Sequence, residues 1–315
     1  MAVEVLALLP AVVLLWLANY SEKHRNYRIV TQIFLALLVL FVILLGAMVV
    51  AMKDSESMAD TKNSDAYGYG LLLSGLIALL LFFKPVRAII SKAIDIDPNN
   101  WLHATALVFA ALLVGVMMST ASSMDITDLA NSPGDSVFSV IFQDAFFVIT
   151  ALFGVGWLAR RNLKGVAERL GLKKPGLRNV SMSLVYLAML LLVAMVLGIL
   201  TTQFNGDSGV LDEKEDPTVQ ILGGVTVATA ILFSLGAGIG EETLFRGAMQ
   251  PRFGIILTSA IFAALHIQYF NPLQMGSLFI IGLVFGYERK KLDTTACMIT
   301  HSLYDMMLLV PVALA

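Results

Sequence analysis

The sequence is poor in charge: 14% of its 315 residues are Asp, Glu, Lys or Arg, against 58% hydrophobic residues and a mean hydropathy of +0.82. That balance excludes an ordinary soluble globular domain. A single cysteine, Cys297, excludes an internal disulfide. Basic residues are not in excess, since the formal net charge is -2, which argues against nucleic acid or another polyanion as partner. Segments of alternating polarity are missing, and with them the case for a membrane β-barrel. The His-Glu-x-x-His string of helical zinc proteases is missing too. The first apolar run ends at Asn19 and Tyr20 with neither a basic leader nor a small-residue cleavage site, so it reads as a retained segment.

What is present is a series of apolar runs, near residues 3–17, 29–52, 70–83, 101–119, 137–157, 180–200, 219–240, 253–265, 273–287 and 294–315. A bilayer core takes about twenty apolar residues as a helix, so the expectation is an all-α, polytopic transmembrane bundle of about ten helices. Lys and Arg gather in alternate loops: Lys23, Arg25 and Arg28; Lys84, Arg87 and Lys92; Arg160 to Arg178; Arg289 to Lys291. The intervening loops hold Asp54, Glu56, Asp60 and Asp65, then Asp125, Asp128 and Asp135, then Asp207 to Asp216. Basic loops face the cytoplasm, which predicts an N-terminus outside and a cell-membrane, multi-pass protein. Residues 1–135 carry no constellation of chemistry and read as an accessory helical region. Residues 136–162 read as a connecting transmembrane helix and 163–315 as the core. Glu4, His24 and His103 lie at helix ends or in loops and read as structural or solvated. Within 160–176, a short amphipathic helix is expected before the Gly171 and Pro175-Gly176 breaks.

Chemistry gathers in three places in the last third. Glu241, Glu242 and Arg246 close a long apolar run; Phe262 and His266 sit four apart in the next; His301 and Asp305 sit four apart in the last. Charge inside a bilayer is costly and therefore points to function, and four-residue spacing puts each pair on one helix face. A carboxylate beside an imidazole can bind and deprotonate water, while a second imidazole can stabilise an oxyanion. Glu242 and Arg246 are spaced for an ion pair that supports Glu241. Counted along their helices, Glu241 and His301 reach comparable depth, whereas a break expected at Pro251 leaves His266 deeper. Glycines 236, 238 and 240 permit close helix contact, as do Gly282 and Gly286. No cofactor is expected; a zinc alternative, with Glu241, His266 and His301 as ligands, stays open.

The order Glu-Glu-x-x-x-Arg, Phe-x-x-x-His, His-x-x-x-Asp resembles the signature of the CPBP intramembrane proteases, which include type II CAAX prenyl endopeptidases and bacteriocin-processing or self-immunity proteins. Glu168 to Pro175 also resembles the lead-in to the CPBP core, so the resemblance covers about half the chain. It implies an endopeptidase opening toward the cytoplasm and acting on a peptide or protein, prenylated or not. Glu241 and His266 would activate water, His301 and Asp305 would serve the oxyanion, and Glu242, Arg246 and Phe262 would support them. The prenyl endopeptidases commonly have Asn where Asp305 stands, and an ionised Asp donates no hydrogen bond. The resemblance equally fits a catalytically idle binding or immunity protein; transport rests only on helix count and membrane acids. Gly206-Asp207-Ser208-Gly209 matches the rhomboid serine string but falls in an acidic, turn-rich loop, and Cys297, four before His301, reads as an apolar filler rather than a thiol nucleophile.

Overall fold

The computed structural model describes residues 2–52, 64–123, 133–205, 226–266 and 272–314. The Ser208 string, the start of the 219–240 run and most of the acidic loop residues lie outside that set. Among the described residues the regular elements are helical: α1 (Ala2–Ser21), α2 (Tyr27–Met52), α3 (Ser64–Leu80), α4 (Lys84–Ile90), α5 (Trp101–Ser123), α6 (Pro133–Gly154), α7 (Leu163–Leu170), α8 (Leu177–Asn205), α9 (Val227–Glu242), a π-helical stretch (Thr243–Met249), α10 (Gln250–Leu265), α11 (Pro272–Lys291) and α12 (Thr294–Leu314). Each apolar run read from the sequence overlaps one of these, and the fold is all-α. Among the described residues five helices are long and apolar enough to cross a membrane, or six if the bent pair α3 and α4 counts as one span. The chain is a multi-pass membrane protein.

Two compact units divide it, residues 1–125 with 152–163, and residues 126–151 with 164–315. In the first, α2 shows how a helix packs where lipid competes with protein. Thr31, Leu35, Val39, Val42, Gly46 and Val49 form a buried stripe, while Ile33, Phe34, Leu37, Phe41 and Leu44 remain exposed. Lipid chains are as apolar as leucine, so such a helix associates by close packing rather than by water exclusion. The chain turns by 93° between α3 and α4. Arg87, assigned to a solvated basic loop by the charge pattern, is instead buried at this corner. Its Nη1 donates to the carbonyls of Leu81 (2.7 Å) and Phe82 (2.6 Å), and its Nε to Pro98 O (3.0 Å). The Leu81 and Phe82 carbonyls follow the end of α3 and have no next turn to bond. His103 is structural, its Nδ1 accepting the backbone N–H of Asp97 at 2.9 Å.

The second unit is built around α9 and its continuation. Thr226 and Thr229 cap α9 reciprocally, Thr229 N–H to Thr226 Oγ1 at 3.2 Å and Thr226 N–H to Thr229 Oγ1 at 2.9 Å. The expected break at Pro251 does not occur. Pro251 follows close on the π-helical stretch, with Met249 and Gln250 both in helical conformation, so the chain stays helical through it. The interruption falls at Gly254, whose φ of 73° and ψ of 174° are open to glycine alone at little cost. The short amphipathic helix does form, as α7, with Val166 and Leu170 buried. Its end fastens the start of α12: Thr294 Oγ1 donates to Leu170 O (2.5 Å) and Thr294 N–H to Gly171 O (3.2 Å). Asp293 Oδ1 accepts the Ala296 N–H (2.9 Å) as a helix cap, while its Oδ2 accepts from Asn179 Nδ2 of α8 (2.6 Å). The helix that carries His301 and Asp305 is thereby fixed at its entry.

Candidate active site

The glycine run before Glu241 decides how close its neighbours come. A methyl added at Gly238 would lie 2.2 Å from Ser302 Oγ and 2.9 Å from the Ser302 backbone N. One added at Gly240 would lie 2.9 Å from Cα, Cβ and O of Asp144 on α6. α9 is therefore clasped on two faces, by α12 and by α6, at distances no larger residue allows. This clasp brings α12 alongside the two glutamates.

Glu241 ends up 3.7 Å from His266, Oε2 to Nε2. The His266 Nδ1 lies 2.8 Å from Phe262 O, and a carbonyl only accepts, so Nδ1 carries a proton and the imidazole is held by its own helix. A neutral His266 then presents its Nε2 lone pair to the carboxylate. Both facing atoms are acceptors, and their separation exceeds a direct hydrogen bond.

Glu242 forms the second pair, and with His301 rather than Arg246 alone. His301 Nδ1 lies 2.9 Å from Glu242 Oε1, and its Nε2 lies 3.6 Å from Asp305 Oδ2. Arg246 Nε comes within 3.3 Å of Glu242 Oε2, an ion pair by distance whose geometry makes no hydrogen bond. Glu242 and Arg246 are fully buried. The π-helical stretch contains Arg246, and such widened turns recur at functional sites. The guanidinium lies over the rings of Phe262 (5.1 Å) and Phe285 (5.7 Å), which supply it a cation–π environment.

Phe262 stands at the centre, its ring 4.4 Å from that of His266, 6.3 Å from that of His301 and 5.4 Å from that of Phe245. All seven residues singled out in the sequence thus converge. Three others escaped the sequence reading. Phe285 stacks on His301 at 4.8 Å. Glu288, buried, accepts from Thr300 Oγ1 at 2.6 Å. Asp144, buried on α6, lies in electrostatic reach of Glu241, His301 and Asp305. Asp144 and Phe285 did offer a sequence signal, the first as an acid inside the 137–157 apolar run and the second through the glycines at 282 and 286 that flank it. Among the described residues, no three His, Cys, Asp or Glu side chains are arranged to hold a metal ion.

Comparison with known proteins finds similarity over this part of the chain. Residues 223–307 match the family model of the type II CAAX prenyl endopeptidase Rce1-like proteins. An "Uncharacterized 24.3 kDa protein" of Escherichia coli is 36% identical over 73 residues, 20% of this chain and 34% of the relative. The chain thus spans about a third of the length of the curated relative it matches. No solved structure matches. The matched segment, 223–307, is similar to the Rce1-like family and holds the two glutamates, both imidazoles and Asp305.

Proposed function

We propose that the chain is a membrane-embedded endopeptidase that hydrolyses a peptide bond with water activated by Glu241 and His266. The observation that carries this reading is the 3.7 Å gap between Glu241 Oε2 and a His266 whose Nδ1 is already engaged. A water beside the pair, at hydrogen-bond distance from both atoms, donates one hydrogen bond to the carboxylate and one to Nε2, which leaves its oxygen lone pairs free to attack. Glu241 takes the water proton as the oxygen joins the scissile carbonyl carbon. The C–N bond then breaks, and the same proton passes to the leaving amine, giving a carboxylic acid and an amine. A protonated His301, its Nδ1–H held by Glu242, offers Nε2–H to the oxyanion, and Asp305 steadies that ring from the other side. Glu242 thereby takes the role of orienting His301. No step needs a metal.

The substrate is a peptide or protein reached from the bilayer, and the Rce1-like match makes CAAX-type, prenylated peptides the first to try. The test uses the full-length protein in liposomes with a quenched-fluorescent peptide library, half of it carrying a farnesylated cysteine. Cleavage by wild type that Glu241→Gln abolishes is the expected result. Undiminished cleavage by a well-folded Glu241→Gln protein sinks the mechanism. No cleavage by either protein, with wild type retaining a peptide in a binding assay, returns the chain to the idle binding class.

A further inference from the structure

Two basic stretches, far apart in sequence, are laid against each other in the second unit. Thr294 N–H donates to Gly171 O (3.2 Å), Lys173 N–H to Thr295 Oγ1 (3.0 Å) and Asn179 Nδ2 to Asp293 Oδ2 (2.6 Å), so the loop between α7 and α8 runs along the turn between α11 and α12. Gly171, with a φ of 73°, makes the closest approach: a methyl there would lie 2.7 Å from the guanidinium carbon of Arg289. The crossing gathers Lys173, Lys174, Arg178, Arg289, Lys290 and Lys291, all but Arg289 exposed. Among the described residues none of these cations forms an ion pair. Asp293, the acid within the crossing, spends its two oxygens on Ala296 N–H and Asn179. Arg87, Arg161 and Arg169 are each engaged by a carbonyl elsewhere in the chain, whereas Arg289 Nε is buried and makes no hydrogen bond. A buried donor without a partner, ringed by exposed cations, calls for an anion.

We propose that this crossing binds the phosphate headgroup of an anionic phospholipid. Position selects a lipid over a soluble phosphate. α8 and α12, both long and apolar enough to span a membrane, start here, which puts the cations at headgroup level. Leu177, the first residue of α8, is 88% exposed among them, an apolar side chain that acyl chains would cover and water would not. The bound headgroup would bridge the loop and the turn, and so stiffen the entry of α12, the helix that carries His301. That last consequence for turnover rests on the protease reading; the lipid site does not.

Native mass spectrometry of the full-length protein, released from detergent after addition of phosphatidylglycerol or phosphatidylcholine, counts the lipid retained. Wild type should hold phosphatidylglycerol at least about tenfold better than phosphatidylcholine. The exposed-residue variant Lys173→Gln/Lys174→Gln/Arg178→Gln should lose that preference while keeping the lipid-free melting temperature of wild type. Lys290→Gln/Lys291→Gln, on the facing turn, is the second variant should the first disturb folding. Lys23→Gln/Arg25→Gln removes exposed cations from the other unit and should leave the preference intact. A preference that survives either folded site variant, or that falls equally in the control, overturns the site. Displacement of bound phosphatidylglycerol by millimolar inorganic phosphate overturns the lipid as its occupant. In vesicles, peptide cleavage by wild type should run several-fold faster in phosphatidylglycerol than in phosphatidylcholine, and equal rates overturn the link to α12. Lipid retained without cleavage in either vesicle would end the protease reading and leave the lipid site standing.

Discussion

At the scale of single residues, the structure separates two glutamates that are adjacent in sequence and identical in type. Glu241 faces His266 and Glu242 faces His301, so the two substitutions to Gln should differ. Glu241→Gln removes the base and should lower kcat by about a hundredfold or more. Glu242→Gln keeps an acceptor for His301 Nδ1–H and should cost less in rate. Glu242→Ala leaves Arg246 buried and without its counter-charge, which is expected to destabilise the protein by about 3 to 5 kcal/mol, readable as lost thermal stability in detergent. Equal effects of the two Gln variants on kcat would contradict the division of roles. The spacing of four disclosed the pairs within a helix, Phe262 with His266 and His301 with Asp305, because helical geometry is local. It was silent on Glu242 with His301, 59 positions apart, and on Asp144, a lone acid in an apolar run with nothing at helical spacing to mark it.

At the scale of the element, α9 depends on the absence of side chains at three positions. Gly240→Ala places a methyl 2.9 Å from the backbone of Asp144, and backbone cannot swing aside. Overpacking of this kind costs about 1 to 3 kcal/mol. Gly240→Ala should lower the melting temperature and reduce turnover at least about tenfold, whereas Gly276→Ala, with open space around it, should be silent in both assays. The apolar runs foretold the helices because a run of that length has one structural outcome in lipid. The π-helical stretch left no such mark: Thr243 to Met249 has the composition of ordinary helix, and its widened turn arises from what it packs against. Pro251 was misjudged because the widened π-helical turn before it, with Gln250 N–H bonded to Phe245 O, carries the helix through the proline.

At the scale of the whole molecule, the alternation of basic and acidic loops predicts sidedness. Cys297 is fully buried, so the native chain gives little background to a membrane-impermeant thiol reagent. Ser208→Cys should be labelled from outside and Lys174→Cys only from the cytoplasmic side; the reverse pattern would invert the topology. Cleavage should persist after treatment with chelator, and activity that vanishes and returns in proportion to added zinc would make His266 and His301 ligands instead. Gly254 carries one further consequence for the molecule in its bilayer. It lies between Glu241 and His266 along the chain, so these two side chains ride on opposite arms of a single swivel. The arm from Gly254 to His266 is about 18 Å long at 1.5 Å per residue, and a tilt of about ten degrees carries the imidazole about 3 Å. Helices tilt to match the thickness of the membrane around them. On the proposed mechanism the separation of Glu241 and His266 is thereby geared to the lipid, and turnover should pass through an optimum as acyl chains are lengthened in reconstituted vesicles.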